Sequence, residues 1–485
     1  MTTYRRTSIS LFILCTCFIS ATAAAGGFAT ARFGGEHGHP ATDHPTALYF
    51  NPAGLALGTG TRMYLEGLFA YRSASYDRPA GAVDNVLEDG TTGSGTPDSA
   101  INANAGRAEL GNLLASPFFG IVSDLGIENL GVGAGVYVPF GGSATWDQNL
   151  SYVGDEQYPG AVDGVQRWWN IEGTQKSLYG TVAAAYRIPG ANLSIGAGVN
   201  LVRTEVETVR ARTALGTDDL MAGTDTIIEG RSYLEVSGNT MSVSGGLAWQ
   251  PVEVLTIGAS YQSQPGFGEH SLEGVLINKF GTTPETENEV VLRQSLPDVF
   301  RLGFRWLAAP RVELRASGDY TRWSAYDNQC LLDARDPDAK CAFMADGSVD
   351  TAAGGAGIVL NIPRNYRDTY GVRAGGSYWT RPNLELFGGA AYDSNAVPDE
   401  TIDAALMDMD KLIGTLGLRY GFMREALTLS AAFTQVVYLD RTVDPRDRDA
   451  DGNPIAMSSP SRNPDGAGTY KQAVSLLTIG LQYAF

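Results

Sequence analysis

The strongest constraint in this sequence is a two-residue rhythm. In "EALTLSAAFTQVVYL" (425–439), Leu427, Leu429, Ala431 and Phe433 share one face, with Thr428, Ser430, Ala432 and Thr434 opposite. "VSLLTIGLQYAF" (474–485) places Leu477, Ile479, Leu481, Tyr483 and Phe485 on a single face. "RVELRASGDYTRW" (311–323) sets Val312, Leu314, Ala316 and Tyr320 against Glu313, Arg315, Ser317, Asp319 and Thr321. Period-two alternation with one apolar and one polar face predicts β-strands. Fourteen such segments follow one another, near 61–76, 115–125, 130–140, 166–188, 193–212, 231–249, 253–275, 287–307, 311–325, 365–380, 383–395, 411–422, 426–441 and 472–485. Their connections alternate between a few residues, as at 126–129 and 189–192, and long polar stretches, as at 77–114 and 326–364. A soluble sandwich has no reason to confine its long loops to one end, whereas an outer-membrane barrel does. In lipid the sheet must close, because an open edge leaves backbone donors and acceptors unpaired. The predicted fold class is all-β: an antiparallel transmembrane β-barrel of about 14 strands, apolar face outward and polar face inward.

The chain begins "MTTYRRTSISLFILCTCFISATAAAGGF", with Arg5 and Arg6, an apolar run from Leu11 to Ile19 and small residues before Gly26. That is the pattern of a secretory signal peptide over 1–25. Cys15 and Cys17 lack the small preceding residues of a lipidation site. Two further cysteines, Cys330 and Cys341, remain in the exported chain. An even count in an oxidising compartment predicts one disulfide; two unpaired thiols are the alternative. No later apolar run is long enough for a membrane helix. The formal net charge of −18 argues against nucleic acid as a partner.

Residues 26–58, "GGFATARFGGEHGHPATDHPTALYFNPAGLALG", are dense in Gly, Pro and His and do not alternate. A barrel of fourteen strands leaves an aqueous lumen unless something fills it. Leu48, Tyr49, Phe50, Leu55 and Leu57 need burial, so this segment is expected to fold back as an N-terminal plug, with 59–485 forming the barrel. Pro52 would end a helix or ladder begun at Phe50, and Gly54 permits a tight turn.

Several stretches taken in order make the chain resemble the FadL/TodX-type (OMPP1) outer-membrane transporters of long-chain fatty acids and hydrophobic compounds. They are "GGF" (26–28), "YFNPAGL" (49–55), "GVGAGVYVPFG" (131–141), "SLYGTVAAAYRI" (177–188), "LTIGASYQSQ" (255–264) and "LPDVFRLGFRWLAAPRVELRASGDYTRWSAYD" (296–327). The resemblance covers nearly the whole mature chain. It implies a fourteen-stranded barrel in the bacterial outer membrane, closed by a hatch to which Phe28, Asn51, Pro52, Ala53 and Gly54 belong. It further implies a monomer among outer-membrane lipid and lipopolysaccharide, taking up a fatty acid or hydrocarbon with no cofactor. The ligand would be captured by the long loops, held in the upper lumen and released sideways at a kink in the third strand. Gly131, Gly133, Gly135 and Pro139, with Gly141 just beyond, suit such a kink, since Gly and Pro weaken ladder pairing. Equally, those glycines could relieve crowding beside the plug. The competing function is a general porin or surface-structural barrel.

Among residues that carry chemistry, His37, His39 and His44 with Asp43 could bind a metal, or could hydrogen-bond the lumen wall, the commoner outcome for such motifs. "DRDADG" (447–452) opens like a calcium loop, but Ser458 stands where the bidentate Glu belongs. Arg301, Arg305, Arg315, Arg373 and Arg419 are placed on the inward face. They could anchor a carboxylate head group, with Arg315 and Arg419 the first candidates, or could pair with Glu313, Asp319, Glu385, Glu36 and Asp43. The remaining histidine, His270, has no recognisable nucleophile beside it, and no enzyme is predicted.

Overall fold

The computed structural model describes residues 32–83, 98–213, 229–281, 283–344, 349–423, 426–445 and 464–485. The signal peptide with Cys15 and Cys17, the hatch residue Phe28 and the acidic run 447–452 lie outside the described residues.

Nineteen strand segments form one antiparallel sheet that closes on itself: the first, Thr61–Arg78, pairs with Gly106–Ser123 on one side and with the last, Gly468–Ala484, on the other. Five wall strands are each interrupted once and then resume, for example Leu255–Gln262 with Glu269–Phe280 and Thr286–Ser295 with Val299–Ala309. Joined across those breaks, the segments make a closed barrel of fourteen strands, as the alternation predicts. Among the described residues no helix is long and apolar enough to cross a membrane.

The faces follow the rhythm. On the last strand Leu477, Ile479 and Leu481 are 45%, 43% and 39% exposed, while Leu476 and Thr478 are buried inside. An outward apolar band in place of a polar surface is what lipid selects. One end of the barrel has tight turns. Gly126 and Asn129 take positive φ in one, Gly190 and Asn192 in the next, conformations that Gly and Asn reach at least cost. The long connections gather at the other end, above strands as long as Glu229–Val252, 24 residues against the roughly ten that span a bilayer. There Cys330 and Cys341 are joined in a disulfide.

Candidate functional site: a filled lumen and an opening in the wall

Residues 32–58 lie inside the ring. A short helix, Ala47–Phe50, and a 3-10 helix, Pro52–Leu57, are buried almost throughout. Asn51 sits between them, extended (φ −167°, ψ 103°), and caps the second: its Oδ1 accepts from the N–H of Ala53 at 3.1 Å. Its Nδ2 donates to the carbonyls of Pro40 at 2.6 Å and Leu247 at 2.9 Å, so one side chain ties the segment to itself and to the sixth strand. Pro52 follows at the first helical position, where a missing N–H costs nothing. The wall is shaped to receive this backbone. A Cβ at Gly131 would collide with Leu55, at Gly196 with Ala53, and at Gly258 with the carbonyl of Pro40.

Phe33 packs against Tyr49, Phe118 and Tyr137 with ring centroids 5.4, 5.1 and 5.5 Å apart. On the opposite side the segment meets charge. His37 Nε2 lies 2.9 Å from Glu385, and Arg315 reaches Glu313 at 2.7 Å, Glu385 at 3.4 Å and the carbonyl of Glu36 at 3.2 Å. Arg305 pairs with Asp43 at 2.7 Å, Arg373 with Asp319 and Asp393, and Arg419 stands 3.6 Å from Glu385. These inward arginines are thus set among carboxylates: Asp43, Glu313, Asp319 and Glu385, which the sequence offered as partners, and Asp393, which it did not. Arg301 differs, lying 4.4 Å over the Tyr49 ring. The other two histidines bond locally, His39 Nδ1 accepting from Ala41 N–H at 3.2 Å and His44 Nδ1 lying 3.0 Å from Thr46 Oγ1. Burial, reinforced by Arg419 and Arg315 and opposed by Glu385, lowers His37 to about 4. Burial likewise pushes His39 and His44 well down.

The wall is not continuous. The second strand, Gly106–Ser123, is paired to the first along its whole length, yet to the third, Leu130–Thr145, only from Ser123↔Val132 to Phe118↔Tyr137. Beyond that rung the two separate, meeting again where Asp147 N–H donates to the Glu109 carbonyl at 2.9 Å. The third strand meanwhile keeps its pairing to the fourth, Glu172–Ile188, except at one irregularity between Tyr137 and Phe140, where it carries one extra residue. That is a β-bulge, and the alternation collapses there: Tyr137, Val138, Pro139, Phe140 and Gly141 are all buried. A proline stands on each lip, Pro139 on the third strand and Pro117 on the second, consistent with edges that make no ladder. Leu110, Leu114 and Phe140, all buried, give the opening an apolar border. Gly133 and Gly135, proposed from sequence as kink residues, sit instead in the intact ladder below the bulge. There an added Cβ would approach Leu48 at 3.1 Å and 2.9 Å, so their smallness makes room for the N-terminal segment. Pro117 was readable as a proline inside a strand pattern, a signal the sequence reading passed over.

Two cavities touch the third-strand side of this opening. The lower, about 120 Å³, lies over the N-terminal segment and is lined by His39, Tyr49, Phe140, Arg301, Arg315 and Trp323, among others; Arg419 is not part of its lining. The upper, about 130 Å³, lies towards the long connections and includes Gly142, Ser143 and Ala144 of the third strand with Arg210 and Tyr366. Aromatic rings separate them: Trp323 from Phe140 by 6.3 Å and from Tyr366 by 5.9 Å between centroids.

A closed barrel with an apolar outer band, residues 32–58 packed within it and a breach in one ladder defines an outer-membrane β-barrel protein. Residues 7–485 match the profile of the family described as outer membrane protein transport protein (OMPP1/FadL/TodX), and the chain belongs to that family. A long-chain fatty acid transport protein of Escherichia coli is 24% identical over 181 residues, a stretch that covers 37% of this chain and 36% of that protein. The crystal structure of a Pseudomonas aeruginosa FadL homologue superposes with a TM-score of 0.70 at 18% identity, over 95% of this chain and 100% of that one. The toluene transporter TbuX of Ralstonia pickettii superposes with a TM-score of 0.56 at 17% identity, over 96% and 97%. At such identities the likeness establishes the fold.

Proposed function

We propose that this protein takes up hydrophobic small molecules, of the class bracketed by long-chain fatty acids and monoaromatic hydrocarbons, and releases them sideways into the outer membrane. The upper cavity receives the molecule beneath the long connections. The gap between the second and third strands is its exit, and residues 26–58 act as a hatch that keeps the base closed. The protein works as a monomer surrounded by lipid and lipopolysaccharide.

The observation that carries this reading is the ladder that stops at Phe118↔Tyr137 while both strands continue. An alkyl chain gains about 0.8 kcal/mol for each CH₂ withdrawn from water, so a route from apolar pocket to lipid spares it an aqueous step. A route through the base would cross the charged shelf around Arg315 and Glu385.

The bulge offers the test. Deleting Pro139 removes the extra residue and lets the third strand keep register with the fourth while zipping against the second. Cells expressing this variant should lose uptake of radiolabelled hexadecane and hexadecanoate to the level of cells without the protein. The variant should still migrate as a folded, heat-modifiable barrel. Uptake undiminished in a folded variant would refute lateral release.

A further inference from the structure

The third strand is tied to the barrel from beyond the strand it has left. Arg72 belongs to the first strand, is buried on its inward face, and pairs in register with Asn112 of the second strand and Val474 of the last. Its guanidinium forks. Nε and Nη2 donate to Oε1 of Gln472 on the last strand at 2.9 and 2.7 Å, and Nη1 donates to the Ser143 carbonyl on the third strand at 3.1 Å. Ser143 lies past the bulge, where the third strand keeps its ladder to the fourth but has lost the second. The side chain therefore crosses the inner face of the second strand to reach it. Asn112, beside Arg72 in the ladder, makes a further tie, its Oδ1 accepting from the Thr145 N–H at 3.5 Å. With the bond from Asp147 to Glu109, these contacts close the top of the opening, as the rung Phe118↔Tyr137 closes its base.

Neighbouring strands lie about 4.8 Å apart, so the first and third stand about 10 Å apart in an unbroken sheet. A side chain of fixed length bonded across that span holds the third strand near the distance a ladder would give, where the ladder is missing. A water molecule could satisfy the Ser143 carbonyl, but it could not fix a distance. The bond is charge-assisted, and Gln472 holds the other two nitrogens so that the third is aimed. Ser143 stays paired to Thr174, so its release would let the third and fourth strands swing together away from the first two. We infer that Arg72 is a brace that sets the width of the exit, and with it the thickness of the molecule that passes: straight chains and flat rings over branched ones. Resting on the lateral release proposed above, this makes Arg72 a positioning residue that selects by cross-section.

The experiment measures initial uptake of hexadecane and of pristane, a branched alkane of similar length, in cells expressing the full chain. Wild-type cells should favour hexadecane. Losing a charge-assisted bond shifts the balance from braced to unbraced by about tenfold, so Arg72→Met should raise the ratio of pristane to hexadecane uptake by up to about that factor. Nitroxide labels on Leu113→Cys and Thr145→Cys, both exposed and on facing strands, report the gap itself, and their separation should lengthen and broaden in the same variant. Gln472→Leu, which keeps the Ser143 bond but frees the rest of the guanidinium, should move both readouts the same way by less. It carries the test if Arg72→Met fails to migrate as a folded, heat-modifiable barrel. A folded Arg72→Met in which either the uptake ratio or the label separation stays as in the wild type would overturn the brace, as would wild-type cells that take up both alkanes equally. Loss of hexadecane uptake on deleting Pro139 would leave lateral release standing in those cases. Hexadecane uptake that survives that deletion would overturn lateral release, and this inference with it.

Discussion

Replacing Asn51 by Ala tests whether the N-terminal segment is what closes the barrel. Asn51 is fully buried and makes three hydrogen bonds, to Pro40, Leu247 and Ala53. The Leu247 bond links segment to wall; the other two hold the segment's own shape. Each is worth about 1 kcal/mol net, and a buried group left without its partner costs about 1–3 kcal/mol. The lost cap on Pro52–Leu57 belongs to the same range. The docked form should therefore weaken by about 3 kcal/mol, which shifts the docked-to-undocked ratio by roughly a hundredfold. The barrel itself keeps its ladders and should fold normally. The assay is single-channel conductance in planar bilayers, backed by limited proteolysis of residues before Thr61. Wild-type protein should be ion-tight and protected; Asn51→Ala should open to ohmic bursts and be cleaved. A folded variant as tight and as protected as the wild type would show that the segment's seat does not depend on Asn51 and would refute the energetic argument.

Gly196→Val should act similarly, since any side chain there enters the space of Ala53; conductance and protease sensitivity should both rise, and an ion-tight variant would count against a shape-matched seat. Acidification should loosen the segment. His37 is lowered to about 4 by burial when docked and takes its ordinary value near 6.5 when free, so docking stability is complete above 6.5 and falls as pH drops towards 4, by about 3 kcal/mol at the limit. Glu36, raised by burial, opposes this, whereas Asp43, which burial would raise but Arg305 and Arg62 hold below the carboxylate range, loses its contribution only at still lower pH. Leak conductance measured from pH 7.5 to 5 should increase, and a flat profile would refute the linkage. Phe33→Ala removes a ring from against Phe118 and Tyr137 and should speed amide exchange at the adjoining rungs of the second and third strands, with unchanged exchange sinking the idea that the segment supports them.

Much of this fold was legible because a barrel wall in lipid obeys one rule over hundreds of residues. Leu477, Ile479 and Leu481 face lipid as their spacing requires, and the same rule places Arg305, Arg315 and Arg419 inside. What the rhythm cannot encode is what those side chains meet. Arg305 and Arg315 turn out to be directly opposite across two strands, a repulsive arrangement on its own. It is made tenable by Asp43, which arrives from 262 residues away in sequence, and by Glu313. The glycines of the third strand were ambiguous for a related reason. Smallness serves either a kink or a close neighbour, and the neighbour, Leu48, is distant in sequence.

The third strand joins the two halves of the proposed mechanism. Its lower part forms the seat, with Gly131 against Leu55 and with Gly133 and Gly135 against Leu48. Its upper part forms one lip of the exit. The boundary is the rung Phe118↔Tyr137, and both of its rings rest on the N-terminal segment: Phe33 on each, and Tyr49 on Tyr137 at 5.4 Å. A ladder whose final rung is clamped by aromatic packing has its end fixed by that packing and not by backbone bonding alone. Withdrawal of Phe33 and Tyr49 would leave Phe118 and Tyr137 facing empty lumen, with two prolines just above them unable to donate. On the proposed mechanism, movement of the segment and widening of the exit would be a single event, and a molecule that displaces the segment would open its own way into the membrane.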